Sequence, residues 1–450
     1  MSRYAEYREV NLPWLKAVPA HWEIRRNKNI FTEQKEIVGE RSADYTLLSL
    51  TLNGIIPRDM DGGGKFPESF DKYKIVKNGD MAFCLFDIDE TPRTVGLSGY
   101  NGMLTGAYTI MRVSNINARF IYYYYLALDN GKMLRPLYTG LRKTININTF
   151  QSTKVPVPPR EEQDQIVCFL DWKVSSINKL INIKKKEIKA IDALKRLTVS
   201  HAITRGLTAD APTKYSGVKW LGDIPAHWNV TKLRQILHPV SEKNHPEFPL
   251  LSVVREQGVI LRDVEDKEAN HNFIPDDLSG YKVVRKGQFA LNKMKAWQGS
   301  YGVSDYIGIV SPAYFIFDIA FENLEYFHYA IRSKVYVNFF AQASDGIRVG
   351  QWDLQMDKMK EIPFIVPPAD EQIAIVKYIK KALPRYDAAI EKLTEEVAVL
   401  EEYKNKIIAD TVTGKIDVRS IEIPEYEFVD EDTDADNEDD GEEDTEEQED

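Results

Sequence analysis

Cysteine is nearly absent from this chain. Cys84 and Cys168 are the only two in 450 residues, which excludes a disulfide framework and any cysteine-based metal site. A reducing, cytoplasmic setting is expected. No run approaches the ~20 apolar residues of a membrane span, and the opening Met1-Ser2-Arg3-Tyr4-Ala5-Glu6 lacks the apolar core of a signal peptide. No membrane association is expected.

Catalytic signatures are missing too. Asp61-Gly62-Gly63-Gly64-Lys65 resembles a phosphate loop only superficially, since it lacks the first glycine at the required spacing and the Ser or Thr after the lysine. It reads as a turn. Asp263 with Glu265-Asp266-Lys267 has the residue types of a metal-dependent nuclease, but so short a stretch cannot supply the separate strands such a site needs. Neither a glycine-rich adenosylmethionine loop nor an Asn/Asp-Pro-Pro-Tyr/Phe motif is found. No catalytic residue and no metal ligand is expected.

Basic residues are absent from one region only. Glu422 to Asp450 has no Lys or Arg and holds 18 of the 69 acidic residues, leaving 51 against 58 basic ones elsewhere, a balance of +7 beneath a net charge of −11. The body therefore suits a polyanionic partner. The acidic tail, with almost no apolar content after Val429, is expected to be disordered.

What is present is present twice. Trp14-Leu15-Lys16-Ala17-Val18-Pro19-Ala20-His21-Trp22 returns as Trp220-Leu221-Gly222-Asp223-Ile224-Pro225-Ala226-His227-Trp228, and Pro158-Pro159-Arg160-Glu161-Glu162-Gln163 returns as Pro367-Pro368-Ala369-Asp370-Glu371-Gln372. Between them, Leu47-Leu48-Ser49 answers Leu250-Leu251-Ser252, and Tyr73 to Gly79 answers Tyr281 to Gly287. So long a period marks a duplicated domain rather than a solenoid. The copies diverge most where Phe86 to Tyr100 faces Leu291 to Tyr306.

Each copy mixes short apolar runs that read as strands (81–86 and 108–113; 289–294 and 314–319) with one helix, over 120–134 and 326–343. The run Tyr122-Tyr123-Tyr124-Tyr125 has the aromatic character of a base-stacking surface, but at helical spacing it reads as core. Prolyl strands at 155–159 and 362–368 then lead into long helical stretches. Val376, Ile379, Leu383, Tyr386, Ile390, Leu393, Val397, Leu400, Lys404 and Ile407 step by threes and fours, as a coiled-coil seam does. Pro384 predicts a break there, with a longer helix starting near Arg385. The first stretch carries Leu170, Val174, Ile177, Ile181, Lys184, Ile188 and Ile191, then slips toward Leu194 and Leu197. Gly206 and Gly414 stand where helices end. The expected fold is α+β: two similar domains joined by two long antiparallel helices, with an approximate two-fold axis.

These motifs resemble the specificity subunit of Type I restriction-modification systems over residues 10–418. The resemblance implies target-recognition domains at 1–157 and 209–366 and helical spacers at 158–208 and 367–418; the acidic, disordered tail expected at 419–450 lies outside the family pattern. It implies a noncatalytic subunit that reads a split, asymmetric double-stranded DNA target and docks two methyltransferase subunits and restriction/translocase subunits. S-adenosylmethionine, ATP and magnesium would then belong to those partners, with no cofactor on this chain. A self-contained DNA-cleaving enzyme with an unrecognised nuclease site is the alternative, and a coiled-coil adaptor a third reading.

Base readout needs groove-reaching donors and acceptors, with Arg and Lys favouring guanine and Asn and Gln favouring adenine. Asn292, Lys293, Lys295, Trp297 and Gln298 concentrate such groups in one segment, beside an aromatic. Arg142 and Arg348 follow a Gly-Leu or Gly-Ile pair in equivalent places and could each hold a phosphate, as could Arg58 and Arg262. Salt bridges inside the domain are the competing explanation for these arginines, above all for Arg58 and Arg262, which Asp59 and Asp263 follow directly.

Overall fold

A computed structural model of the chain describes residues 2–58, 67, 69–138, 143–263, 274–275, 277–348 and 351–430. The glycine-rich turn at 61–65, Glu265 to Lys267 and Arg142 lie outside the described residues. So does the tail from residue 431 on.

The two repeats build the same strands. In the first, Phe31–Gln34, Thr109–Val113, Asp80–Phe83 and Val95–Leu97 form a four-stranded antiparallel sheet in that spatial order. Leu237–Val240, Phe315–Ile319, Phe289–Leu291 and Tyr301–Val303 repeat it in the second. One inner strand of each sheet has its apolar residues covered on both faces: Met81, Ala82 and Phe83, like Phe289, Ala290 and Leu291, are fully buried. The prolyl strands Lys154–Val157 and Pro363–Val366 pair with Glu23–Arg26 and Asn229–Lys232, just after the His-Trp motifs, and so close each domain on its own beginning.

Helix Ala118–Asn130 starts at Asn117, whose side chain accepts from the first-turn amides of Arg119 and Phe120. Tyr123, Tyr124 and Tyr125 are core, as the spacing predicts, and half-buried Tyr122 packs against it. Tyr125 Oη donates to buried Asn27 Oδ1 at 2.8 Å, and Tyr124 Oη accepts from Trp14 Nε1 at 2.8 Å. In the second domain the single helix expected over 326–343 is two, Leu324–Ile331 and Lys334–Gln342. Arg332 ends the first by donating to the carbonyls of Tyr301, Arg255 and Glu256, and Ser333 then turns to extended backbone before the second begins.

The chain resolves into two compact units, residues 2–185 with 394–430, and residues 186–393. Each long helix, Arg160–Arg205 and Ala369–Val412, contributes part of its length to each unit. Within the first unit Lys184 pairs with Glu396, and Lys404 Nζ donates to Asn178 Oδ1 at 3.2 Å. Within the second, Lys195 pairs with Asp387 at 2.5 Å, and Thr198 bonds Tyr386 at 3.0 Å. Residues rise on one helix as they fall on the other, so the segments run antiparallel. Every seam position from Val376 to Ile407 is buried or half-buried.

Two expectations for these helices are corrected. Leu194 and Leu197 are 49% and 63% exposed, because the 3–4 stepping continues from Ile191 through Lys195 and Thr198 rather than slipping to the leucines. Nor does Pro384 break the second helix. It sits on the exposed face, where water can satisfy the carbonyl that loses its N–H partner while the seam holds the helix on either side. Gly206 and Gly414 do adopt the left-handed helix-ending conformation, with φ of +74° and +75°.

A third correction concerns the C-terminus. Residues 419–430, expected as the start of a disordered tail, lie along the first long helix, with Ser175 Oγ donating to Glu427 O at 3.0 Å and accepting from Val429 N at 2.7 Å. Local acidity concealed Ile421 and Ile423, which pack on the core of the first unit. No described helix is long and apolar enough to cross a membrane.

Candidate nucleic-acid interface

The repeated motifs prove to be scaffold. In the first unit the Glu162 carboxylate accepts from Tyr4 Oη at 2.6 Å and Trp22 Nε1 at 2.9 Å, with His21 Nε2 at 2.7 Å. In the second, Glu371 accepts from Trp228 Nε1 at 2.9 Å, with His227 Nε2 at 2.5 Å. The neighbouring glutamines, Gln163 and Gln372, each donate to the first proline carbonyl of their own Pro-Pro pair at 2.8 Å. The two motifs are thus the halves of one latch, which joins the start of each domain to the start of its helix. Gly414 and Gly206 complete it: a Cβ on either would come within 3.2 or 3.0 Å of Trp22 or Trp228.

What the latch leaves free to vary is the connection after the central strand. In the second unit this strand, Phe289–Leu291, pairs with Tyr301–Val303, and the intervening loop turns through a short 3-10 segment, Ala296–Gln298, that ends on left-handed Gly299 at φ +101°. Asn292 shapes the loop from inside. Its Oδ1 accepts from Met294 N at 3.1 Å and its Nδ2 donates to Tyr314 Oη at 3.1 Å, so the buried amide is committed within the domain. Lys293, Lys295, Trp297 and Gln298 are half-buried, with part of each side chain at the surface.

A hairpin that the sequence reading missed packs against this loop. Ser344–Arg348 pairs with Gln351–Leu354, and Leu354 N donates to Lys293 O at 3.2 Å. Lys293 Nζ lies 2.6 Å from Asp353 Oδ2, and the rings of Trp297 and Trp352 are 5.3 Å apart. Trp352 is 37% exposed. Arg348 is carried by the first strand of the hairpin, so Lys293 and Arg348, distant in sequence, belong to one loop-and-hairpin assembly. The polar-apolar alternation of Gln351-Trp352-Asp353-Leu354 is the signal in the sequence that could have found it.

The same position in the first unit has the opposite charge. Its loop carries Asp87, Asp89 and Glu90, and Asp87 is a non-glycine residue at positive φ, +43°, with its N–H donating to Lys143 O at 2.8 Å. Tyr138 Oη donates to Asp89 at 2.6 Å, holding that carboxyl below the usual carboxylate range, and Lys143 lies against both Asp89 and Glu90. Beneath the loop, buried Asp129 receives Arg93, Lys132 and the amide and hydroxyl of Thr94.

Arg58 and Arg262 occupy truly equivalent places. Each follows a hairpin, Leu48–Thr51 with Gly54–Pro57 and Leu251–Val254 with Gly258–Leu261, and each donates its backbone N–H at 2.9 Å, to Leu47 O and Leu250 O respectively. They stand on different hairpins from the Lys293 assembly. Among the described residues no group of His, Cys, Asp and Glu is arranged to hold a metal ion.

Comparison with known proteins agrees with the resemblance read from the motifs. Residues 70–190 match the model of the Type I restriction modification DNA specificity domain. The MjaVIII Type I restriction enzyme specificity subunit of Methanocaldococcus jannaschii is 24% identical over 92% of this chain and 98% of its own length. A putative MjaX specificity subunit of the same organism is 23% identical over 90% and 95%. Among solved structures, a chain of a type I R-M system, determined in work on complex assembly and conformational transition, aligns with a TM-score of 0.57 at 12% identity, covering 89% of this chain and 99% of that one. The likeness to Type I specificity subunits therefore extends over nearly the whole chain in sequence, and the fold is shared.

Proposed function

We propose that this chain is the noncatalytic specificity subunit of a Type I restriction-modification complex, in which each domain reads one half of an asymmetric, bipartite DNA target. The observation that carries the reading is the pairing of a repeated latch and sheet with loops of opposite charge at one sheet position. A duplicated scaffold with unlike reading surfaces is what two unlike half-sites require. Lys293, Lys295, Trp297 and Gln298, with Arg348 and Trp352 on the hairpin, are the groups proposed to meet DNA in the second half. Arg58, Arg142 and Arg262 are proposed phosphate contacts.

The boundaries 1–157, 158–208, 209–366 and 367–418 describe this division of labour. The helices would fix the gap between half-sites and dock two methyltransferase subunits and the restriction/translocase subunits in the cytoplasm. S-adenosylmethionine, ATP and magnesium would act on those partners. Four residues inserted between Val174 and His201 lengthen a helix by ~6 Å, so the methylated motif in cells should keep its bases and change its gap by one or two pairs. Changed bases at an unchanged gap would reject the spacer role. Cleavage of DNA by the purified chain with magnesium alone would instead support the self-contained nuclease.

A further inference from the structure

The C-terminal segment lies on one face of the first long helix, whose polar side chains bond its backbone. Gln165 Nε2 donates to the carbonyls of Val418 at 3.1 Å and Ile421 at 2.7 Å. Ser175 bonds Glu427 O and Val429 N, Asn178 Nδ2 reaches Val429 O at 3.3 Å, and Asn182 Nδ2 reaches Asp430 O at 2.9 Å. Ser175 and Asn178 are 2% and 5% exposed. Buried polar side chains need partners, and the segment supplies them for Ser175 and for the Nδ2 of Asn178, whose Oδ1 is taken by Lys404 of the second long helix.

The second long helix lacks this track. Counting from the matching Gln163 and Gln372, the positions answering Gln165, Cys168, Asp171, Ser175, Asn178 and Asn182 are Ala374, Lys377, Lys380, Pro384, Asp387 and Glu391, and all six are exposed. Even the flanking ion pair is reversed, with Arg119–Asp171 in the first unit and Glu325–Lys380 in the second.

We propose that residues 424–430 are a displaceable strap over a partner-docking face of the first long helix. The face would accept an extended segment of a protein partner, so the two helix faces load partners unequally. Because recognition runs through carbonyls and one amide, the track is tolerant of sequence and any extended backbone of similar course can replace the strap. The strap's far end is the weaker: Phe428 is 52% exposed, with the Arg119 guanidinium 5.9 Å from its ring, whereas Ile421 and Ile423 pack on the core. Peeling would start at Asp430 and stop near Ile423. The proposal rests on the reading of the chain as a subunit of a larger assembly.

The test titrates the methyltransferase partner, followed by native mass spectrometry, against three forms of the protein. These are the full chain, a chain ended after Ile423, and full-length Tyr426→Cys oxidised to Cys168, since Cys168 and Tyr426 line one hollow. Unchanged half-site preference in DNA binding shows that each form is folded. The shortened chain should take up its second partner at roughly tenfold lower concentration than the full chain. The oxidised form should resist the second partner until reduced. Identical titrations of all three forms would overturn the strap and leave the assembly reading standing, whereas no partner bound by any form would overturn both.

Discussion

The loop after the inner buried strand carries Asp87, Asp89 and Glu90 in the first unit and Lys293, Lys295 and Trp297 in the second, yet each springs from an equivalent sheet in its own unit, which has an equivalent latch. The contrast shows which part of a duplicated domain is held by its own chemistry and which part can drift. The latch cannot drift, because a buried carboxylate without its Trp and His partners is costly. The loops can, because their charges are settled locally: Asp89 by Tyr138 and Lys143, and Lys293 by Asp353. Even within the shared motif the surroundings differ, since Trp14 is bonded to Tyr124 whereas Trp220 is 67% exposed.

The largest effect is expected where the two latches are broken in turn. The Glu162 side chain is 5% exposed and serves three partners, while that of Glu371 is 34% exposed and serves two. Glu162→Leu should cost about 3 kcal/mol and Glu371→Leu about half as much, since each stranded donor costs roughly 1–3 kcal/mol and the second site admits water. Urea unfolding of both variants checks the ranking. Equal losses would show that the latches are energetically alike despite their different burial.

Acid separates the units next. His328 packs in the second unit where the first has Tyr122, and burial, with Arg332 beside it, lowers its pKa from 6.5 to about 4. The folded state holds it neutral, so the unfolded chain binds the extra proton as pH falls below 6.5, and stability is lost progressively down to about pH 4. By pH 5 the loss is about 2 kcal/mol at 1.36 kcal/mol per unit. Hydrogen exchange should show core amides of the second unit opening more readily at pH 5 than at pH 7, and His328→Phe should flatten the response. A response undiminished in His328→Phe would place the titration elsewhere.

Reading is expected to fail one half at a time. On the proposed reading, Lys293→Ala should cost ~1–3 kcal/mol of discrimination in one half-site and leave the other untouched. Binding to DNA libraries that vary each half separately measures it. Uniform weakening on every sequence would identify Lys293 as a phosphate contact instead.

The smallest effect belongs to the tail. Ending the chain after Asp430 removes 14 carboxylates but none of the strap, so motif choice and DNA affinity at moderate salt should change little. A large, salt-sensitive gain in affinity would show that the tail competes for the basic body as a DNA mimic.

Much of the architecture was legible because it rests on short-range regularity. The seam from Val376 to Ile407, the core tyrosines and the helix-ending glycines all follow from spacing along one element. Legibility stopped where an element's fate depends on what lies across from it. Leu194 and Leu197 look like seam residues until Lys195 and Thr198 take the places facing Asp387 and Tyr386. Pro384 looks like a break until the exposed face excuses it. The 344–354 hairpin was hidden because Trp352 and Asp353 acquire their meaning only opposite Trp297 and Lys293.

By itself, then, the sequence determined the duplication, the positions of both long helices and the divergence of the loops, since each is a pattern repeated within reach of a few residues. Only the tertiary structure decided that the two most repeated motifs are halves of one latch, and that an acidic terminus begins as a bound strap. Those contacts join residues as far apart as His21 and Glu162, or Ser175 and Val429. Their energy comes from burying a polar group with its partner, and no local periodicity records which distant partner that will be.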